Sequence, residues 1–184
     1  MVVKVELDLS KISPMFREEL AKQISDSEVL SILAKDNDSD VRAEVAENEN
    51  TLYADLHALS RDNDAMVRSK VAYSSKVSEE ILARLAKDDV WCRLGVAKNP
   101  KTPSGILLKL AKDSDWNVRE AVAMHSNSSE EVLAILVNDE SWKIRVEVAR
   151  NPNVTNAIIE KLAEDEDVHV KVVATEKLKS LKAN

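Results

Sequence analysis

A repeat of about 26 residues constrains this chain more than any other feature of its sequence. A basic residue recurs at intervals of 26, 25, 26, 26 and 26 positions, and two apolar columns keep phase with it. The basic column consists of Arg42, Arg68, Arg93, Arg119, Arg145 and Lys171. Self-similarity at a fixed period of 20–50 residues indicates stacked supersecondary units that share one continuous core. The chain is therefore predicted to fold as a solenoid of about six repeats.

Each unit is predicted to contain two helices. The first has an apolar stripe at helical spacing, as in Ile81, Leu82, Leu85 and Ala86. The second carries the pattern V-R-x-x-V-A and is expected to be the shorter of the two, at about six or seven residues. It is stopped by Asn-Pro, as at Asn99-Pro100, because proline disfavours helical backbone at the residue before it. Helices this short are unstable alone, so neighbouring repeats must hold them.

Capping residues are expected at both helix starts. Ser25 and Ser128 each precede a glutamate by three positions, as in a capping box, and Thr102 precedes a proline. These three are predicted to cap the first helix. Aspartates stand where the second helix needs its cap. They are Asp38, Asp64, Asp115 and Asp167.

The combined motif D-x-D-x-x-V-R-x-x-V-A-x-N-P-x-T-P, followed by L-x-x-L-A, resembles the leucine-rich repeat variant. The best copies lie within 96–111, 113–123 and 146–163. The resemblance implies α-helices alternating with short 3₁₀-like helices in a right-handed superhelix without sheets. Ser74-Ser75-Lys76 and His125-Ser126-Asn127 depart from the Asn-Pro pattern. HEAT-like repeats are the near alternative, although their units are longer, at about 40 residues.

The predicted fold class is thus all-α, a single solenoid domain over 1–184. It comprises an extended arm at 1–12, a cap helix at 13–24, repeats at 25–174 and a cap helix at 170–184. Val3–Leu9 alternates apolar and polar residues with the period of a strand. That segment is either a frayed terminus or an arm that pairs with another copy to form a homodimer.

Composition narrows the function. Only two glycines in 184 residues leave no glycine-rich nucleotide loop, and a single cysteine excludes cysteine-clustered metal sites. His57, His125 and His169 fall in different columns, and Cys92 occupies a valine column. We expect a non-enzyme without metal or cofactor. The formal charge of −7 disfavours nucleic acid, and without an apolar run of about 18 residues the expected location is cytoplasmic, not the membrane.

Acidic residues accompany the basic column and are predicted to bind it. A structural ladder, in which each arginine joins one repeat to the next, is expected from Arg42, Arg68, Arg93, Arg119 and Arg145 with Asp36, Asp62, Asp88, Asp113 and Asp139. The alternative is that the arginines track phosphates. Phosphates along one strand of a duplex recur at about 3.4 Å. Stacked helices lie about 8–10 Å apart, so the two spacings do not match.

Three tryptophans lie at equivalent places in consecutive repeats. Trp116 and Trp142 share a column, and Trp91 lies one position further along in the repeat before. They either pack helix starts against each other or form a partner-binding strip, since exposed tryptophan is typical of interface anchors. A protein partner with basic and apolar residues is the leading hypothesis. The alternatives are a HEAT-like nucleic-acid-binding or DNA-repair-type module that uses the arginine column, and a purely structural unit.

Overall fold

A computed structural model describes residues 9–182 of the chain, which are helical and contain no strand. They divide into two compact units with the boundary between Val77 and Ser78. Each unit is a stack of helix pairs. The all-α repeat fold predicted from the sequence is therefore confirmed.

The first unit is a 3₁₀ turn followed by five α-helices. In chain order these are Leu9–Lys11, then α1 (Pro14–Gln23), α2 (Ser27–Leu33), α3 (Ser39–Glu47), α4 (Tyr53–Leu59) and α5 (Ala65–Tyr73). Helix α3 packs between α1 and α5. Helix α1 thus covers the first repeat, where a cap helix was expected.

The second unit contains eight α-helices. They are α6 (Glu79–Leu85), α7 (Val90–Lys98), α8 (Ser104–Leu110), α9 (Trp116–Met124), α10 (Glu130–Leu136), α11 (Trp142–Arg150), α12 (Asn156–Ala163) and α13 (Val168–Lys182). The second helices of the repeats form a row, in which α9 and α11 each pack between two neighbours and α13 packs on α11. Helix α13 runs on for 15 residues as the terminal helix.

The two helices of a repeat differ from expectation in length and type. In one repeat, for example, the first helix α6 has seven residues, whereas the second helix α7 has nine. Both are α-helical, so the short 3₁₀-like helix implied by the family resemblance does not occur in the described repeats. An aspartate caps the start of most second helices, although α11 reaches the same nine residues with Ser141 at its N-cap and no side-chain cap bond. Asp115, for example, accepts hydrogen bonds from the backbone N–H groups of Asn117 and Val118.

The predicted caps of the first helix are wrong at three positions. Asp26, not Ser25, caps α2. The Thr102 and Ser128 hydroxyls donate to the carbonyls of Val96 and Val122, at 2.6 Å each. These side chains therefore give a second hydrogen bond to carbonyls at the end of the preceding helix, which also accept the backbone N–H groups of Asn99 and His125.

The core is built from two kinds of side chain in register. It consists of leucine and isoleucine from the first helices and valine and alanine from the second, as with Leu107 and Leu110 of α8 and Val118 and Val122 of α9, all of which are buried. Cys92 is equally buried in the valine column, as its position predicted. Small aliphatic side chains allow the second helices to approach closely, which explains the scarcity of aromatic residues.

A buried polar column also connects neighbouring repeats. The side-chain amide of Asn151 donates to the Ala123 carbonyl at 2.6 Å, and its oxygen accepts the backbone N–H of Asn153 at 2.9 Å. Asn48 makes the corresponding contacts in the first unit, donating to Ala21 at 2.7 Å and accepting from Asn50 at 2.8 Å. Each asparagine both shapes its own turn and binds the repeat before it.

His125 occupies this column and reproduces the asparagine contacts. Its Nε2 lies 2.8 Å from the Asn99 carbonyl, and its Nδ1 accepts the backbone N–H of Asn127 at 3.0 Å. These contacts require a neutral ring with the proton on Nε2. The departure from the Asn-Pro pattern therefore keeps the turn that the pattern provides.

Most of the predicted arm, Val3–Leu9, lies outside the described residues, which begin at Leu9. The pairing of that segment with another copy stays a prediction, as does the single-domain organisation over 1–184.

We predict that His125→Asn keeps the free energy of unfolding within about 1 kcal/mol of the wild type, because asparagine makes the same two hydrogen bonds elsewhere in the column. His125→Ala should lower it by about 2 kcal/mol, since it removes one of the two hydrogen bonds to the buried Asn99 carbonyl and leaves the Asn127 backbone N–H unpaired. Urea unfolding of both variants measures the difference, with Met124→Ala as a control at the neighbouring exposed residue. Equal destabilisation by Asn and Ala would contradict this role for His125.

Candidate partner-binding strip

An arginine at the fourth position of the second helix ties together two repeats in α3, α7, α9 and α11. In the clearest case, Nε and Nη2 of Arg119 donate to the two carboxylate oxygens of Asp139 in the next repeat, at 2.7 and 3.3 Å. Its Nη1 donates to the carbonyl of Asp113 in its own repeat at 2.9 Å. One guanidinium therefore holds both an adjacent aspartate and its own loop.

The same geometry recurs within each unit. The paired side chains are Arg42–Asp62 in the first unit and Arg93–Asp113, Arg119–Asp139 and Arg145–Asp165 in the second, at 2.7–2.8 Å. Of the other predicted ladder residues, Arg68 donates to the Asp62 carbonyl, and the carbonyl of Asp88 accepts from Arg93, both at 2.8 Å.

Two ladder members were missed in the sequence. Arg17 pairs with Asp36 at 2.6 Å, and Asp165 is the partner of Arg145. Both could have been found by extending the columns, because Arg17 lies 25 residues before Arg42 and Asp165 lies 20 residues after Arg145, the same offset that separates Arg42 from Asp62.

The ladder shifts the titration of its members. A hydrogen bond from Arg17 holds the pKa of Asp36 below its usual range. Burial raises the pKa of Asp113, but hydrogen bonds from Arg93 and the Asp115 N–H outweigh it, so the net pKa is lowered. Carboxylates with a lowered folded pKa stabilise the fold above their unfolded pKa of about 4, and this contribution is lost as the pH falls through the folded pKa.

The three tryptophans lie in the first turn of three second helices. Trp116 and Trp142 are the first residues of α9 and α11, and Trp91 is the second residue of α7. Their side chains are 48%, 39% and 63% exposed, respectively. The ring contacts of the described residues include none between tryptophans, so mutual packing does not explain them.

Trp142 is part of a wider apolar surface. Its ring stacks on His169 of α13, with centroids 4.8 Å apart and an interplanar angle of 25°. The Lys143 Nζ lies 5.9 Å from the ring centroid. Beside it a groove of about 670 Å³ opens across α9, α11 and α13. Its lining comprises Trp142, Val146, Val168, Val172, Val173 and His169, with Glu120, Lys143, Glu147 and Arg150.

Valines at the groove extend the tryptophan strip in a way the sequence analysis did not anticipate. Val168 is the first residue of α13, at the position of Trp116 and Trp142, and it is 62% exposed. Val172 is 50% exposed, although its counterpart Val146 in the preceding repeat is buried. Column membership alone could have placed Val168, but the exposure of Val172 depends on how α11 and α13 pack.

The other candidate groups for chemistry, one carboxylate–thiol cluster and three histidines, make local contacts. Among residues 9–182, Asp88, Asp89 and Cys92 form a cluster of possible metal ligands. Asp89, however, caps α7 through the backbone N–H groups of Trp91 and Cys92, and the Cys92 thiol lies 3.3 Å from its second oxygen. His57 lies on α4 and contacts Arg61. His125 is the C-cap residue of α9, and His169 lies on α13. The three histidines are thus not brought together.

Comparison with known structures places the fold. The chain is similar to a solved structure described as a leucine-rich repeat variant with a novel repetitive structural motif, with a TM-score of 0.72 and 25% sequence identity. The alignment covers 92% of this chain and 68% of the chain in that structure. No protein-family model and no curated protein matches the sequence. Within the described part of the chain, no helix is both long and apolar enough to span a membrane.

We predict that Arg119→Ala lowers the free energy of unfolding by about 2 kcal/mol, because it leaves the largely buried Asp139 carboxylate without its ion-pair partner. The melting temperature should fall by roughly 4–8 °C. Thermal unfolding followed by circular dichroism measures this, with Arg150→Ala as an exposed arginine control. An unchanged melting temperature would refute a stabilising role for the ladder.

Proposed function

We propose that this chain, which has the repeat fold of a leucine-rich repeat variant, is a non-catalytic scaffold that binds a protein partner through a strip on its second unit. We define the strip by Trp91, Trp116, Trp142, Val168 and Val172. The observation that carries the proposal is the exposure of three tryptophans on consecutive second helices. Tryptophan is a frequent hot-spot residue in protein interfaces, where one large ring anchors binding.

The fold gives the strip a rigid support. Each strip residue lies on a helix that is held by neighbours through buried valines and by the arginine ladder. A preorganised surface loses little conformational entropy on binding, so more of the contact energy appears as affinity. The repeat-scaffold fold also points to a non-enzyme.

The location of the arginines favours a protein over a nucleic acid. Only about 10% of the Arg119 and Arg145 side chains is exposed, and each binds a carboxylate through two nitrogens. A guanidinium group that is enclosed and already paired with a carboxylate is poorly placed to bind a phosphate. Nucleic-acid affinity depends on cations that reach the phosphates and release counterions.

Affinity capture from native lysate tests the proposal. The bait is the full chain, compared with a variant carrying Trp91→Ala, Trp116→Ala and Trp142→Ala. A matched control replaces three other exposed apolar residues, Tyr53, Met66 and Met124, by alanine. We expect a protein retained by the wild type and the control but lost with the tryptophan variant, because the anchors are then missing.

Retention of the same proteins by the tryptophan variant would contradict the strip. A gel-shift titration across salt concentrations tests the rival function. Tight nucleic-acid binding with a steep salt dependence would overturn the protein-binding proposal.

A further inference from the structure

We infer that the strip recognises a basic, proline-rich segment in the polyproline II conformation. This inference rests on the proposed protein-binding function and adds the chemical class and conformation of the partner. Three independent features of the second unit carry it: the spacing of the apolar side chains, the aromatic character of the surface and the charge that borders it.

The spacing argument begins with equivalent positions. Trp116, Trp142 and Val168 are each the first residue of their helix, and α9, α11 and α13 pack side by side. Packed helices lie about 8–10 Å apart. The surface therefore offers one apolar side chain about every 8–10 Å, in a row that crosses the helices.

A bound segment must present apolar side chains at that period. Polyproline II has three residues per turn and a rise of about 3.1 Å per residue, so one face repeats about every 9 Å. A β-strand repeats a face about every 6.7 Å, and an α-helix completes a turn every 5.4 Å or so. One apolar contact for each helix of the row is thus matched by polyproline II.

Aromatic surfaces suit such a segment. Domains that bind proline-rich peptides use aromatic-lined grooves, and the stiff peptide loses little entropy on docking. Trp116 and Trp142 are about half exposed, and the stack of Trp142 on His169 orients the indole without burying it. The neighbouring groove, floored by valines, is large enough to accept a pyrrolidine ring and its neighbours.

Charge at the edges specifies the remaining positions of the segment. Carboxylates outnumber cations around the row: Glu120, Glu140, Glu147, Glu166 and Asp167 stand against Lys143, Arg150 and Lys171, and Glu147 is paired with Arg150. Within residues 9–182, Glu120 and Glu166 form no ion pair with a side chain, and the Glu140 side chain is 87% exposed although it contacts Arg119. In a threefold helix, two of every three side chains point to the sides of the row. Arginine or lysine at those positions would meet these carboxylates.

The probe is a fluorescently labelled peptide with four Pro-Pro-Arg repeats, which spans three helices of the row. Two comparison peptides have the same charge: one has the same composition in an order that breaks the three-residue period, and the other is a basic amphipathic helix. Fluorescence anisotropy gives the affinity for the full chain. We expect the periodic peptide to bind at least tenfold more tightly than either comparison peptide.

Single substitutions locate the site. Trp116→Ala and Trp142→Ala should each weaken binding of the periodic peptide at least tenfold. Met124→Ala, which removes an exposed apolar side chain from the far end of α9, should leave it unchanged. Far-ultraviolet circular dichroism confirms that each variant is folded, and Glu120→Gln should weaken binding more at low salt than at high salt.

The inference is overturned if the periodic peptide does not bind, or if the reordered peptide binds equally well, since charge alone would then explain the affinity. Tighter, tryptophan-dependent binding of the helical peptide would overturn the polyproline conformation yet leave the protein-binding function standing. That function falls separately, if the triple tryptophan variant still captures the partners of the wild type.

Discussion

The structure depends on the contact between an arginine of one repeat and an aspartate of the next. Helices of seven to nine residues are too short to persist alone in water. In Arg119, one planar group binds the Asp139 carboxylate through two nitrogens and the Asp113 carbonyl through a third. It thereby fixes the orientation of adjacent repeats, while the valine and alanine columns supply the buried apolar area.

Much of this arrangement could be predicted because it repeats. The basic column, its aspartates, the buried Cys92 and the aspartate caps follow from columns that keep phase along the chain. Helix length and capping are harder to predict. Thr102, for example, stands before a proline as an N-cap residue would, yet its hydroxyl donates to a carbonyl of the preceding helix. His125 likewise departs from the Asn-Pro pattern in the sequence, and only the contacts of its two ring nitrogens show that it takes the place of asparagine.

The candidate site was predictable in part for the same reason. The constant repeat length places Trp116 and Trp142 in one column, but their exposure depends on how the helices pack. The ladder neutralises its arginines, and the aspartate caps bind backbone N–H groups at the starts of several helices. What the repeats leave exposed on α9, α11 and α13 is an apolar row with an acidic border, a surface suited to contact with another chain.

A double-mutant cycle on Arg145 and Asp165 tests the central claim most directly. The free energies of unfolding are measured for the wild type, Arg145→Ala, Asp165→Ala and the double variant. If the contact joins repeats as described, the coupling energy will be about 1 kcal/mol or more. Additive effects, with a coupling energy near zero, would contradict the account and leave apolar packing and the buried asparagine column as the links between repeats.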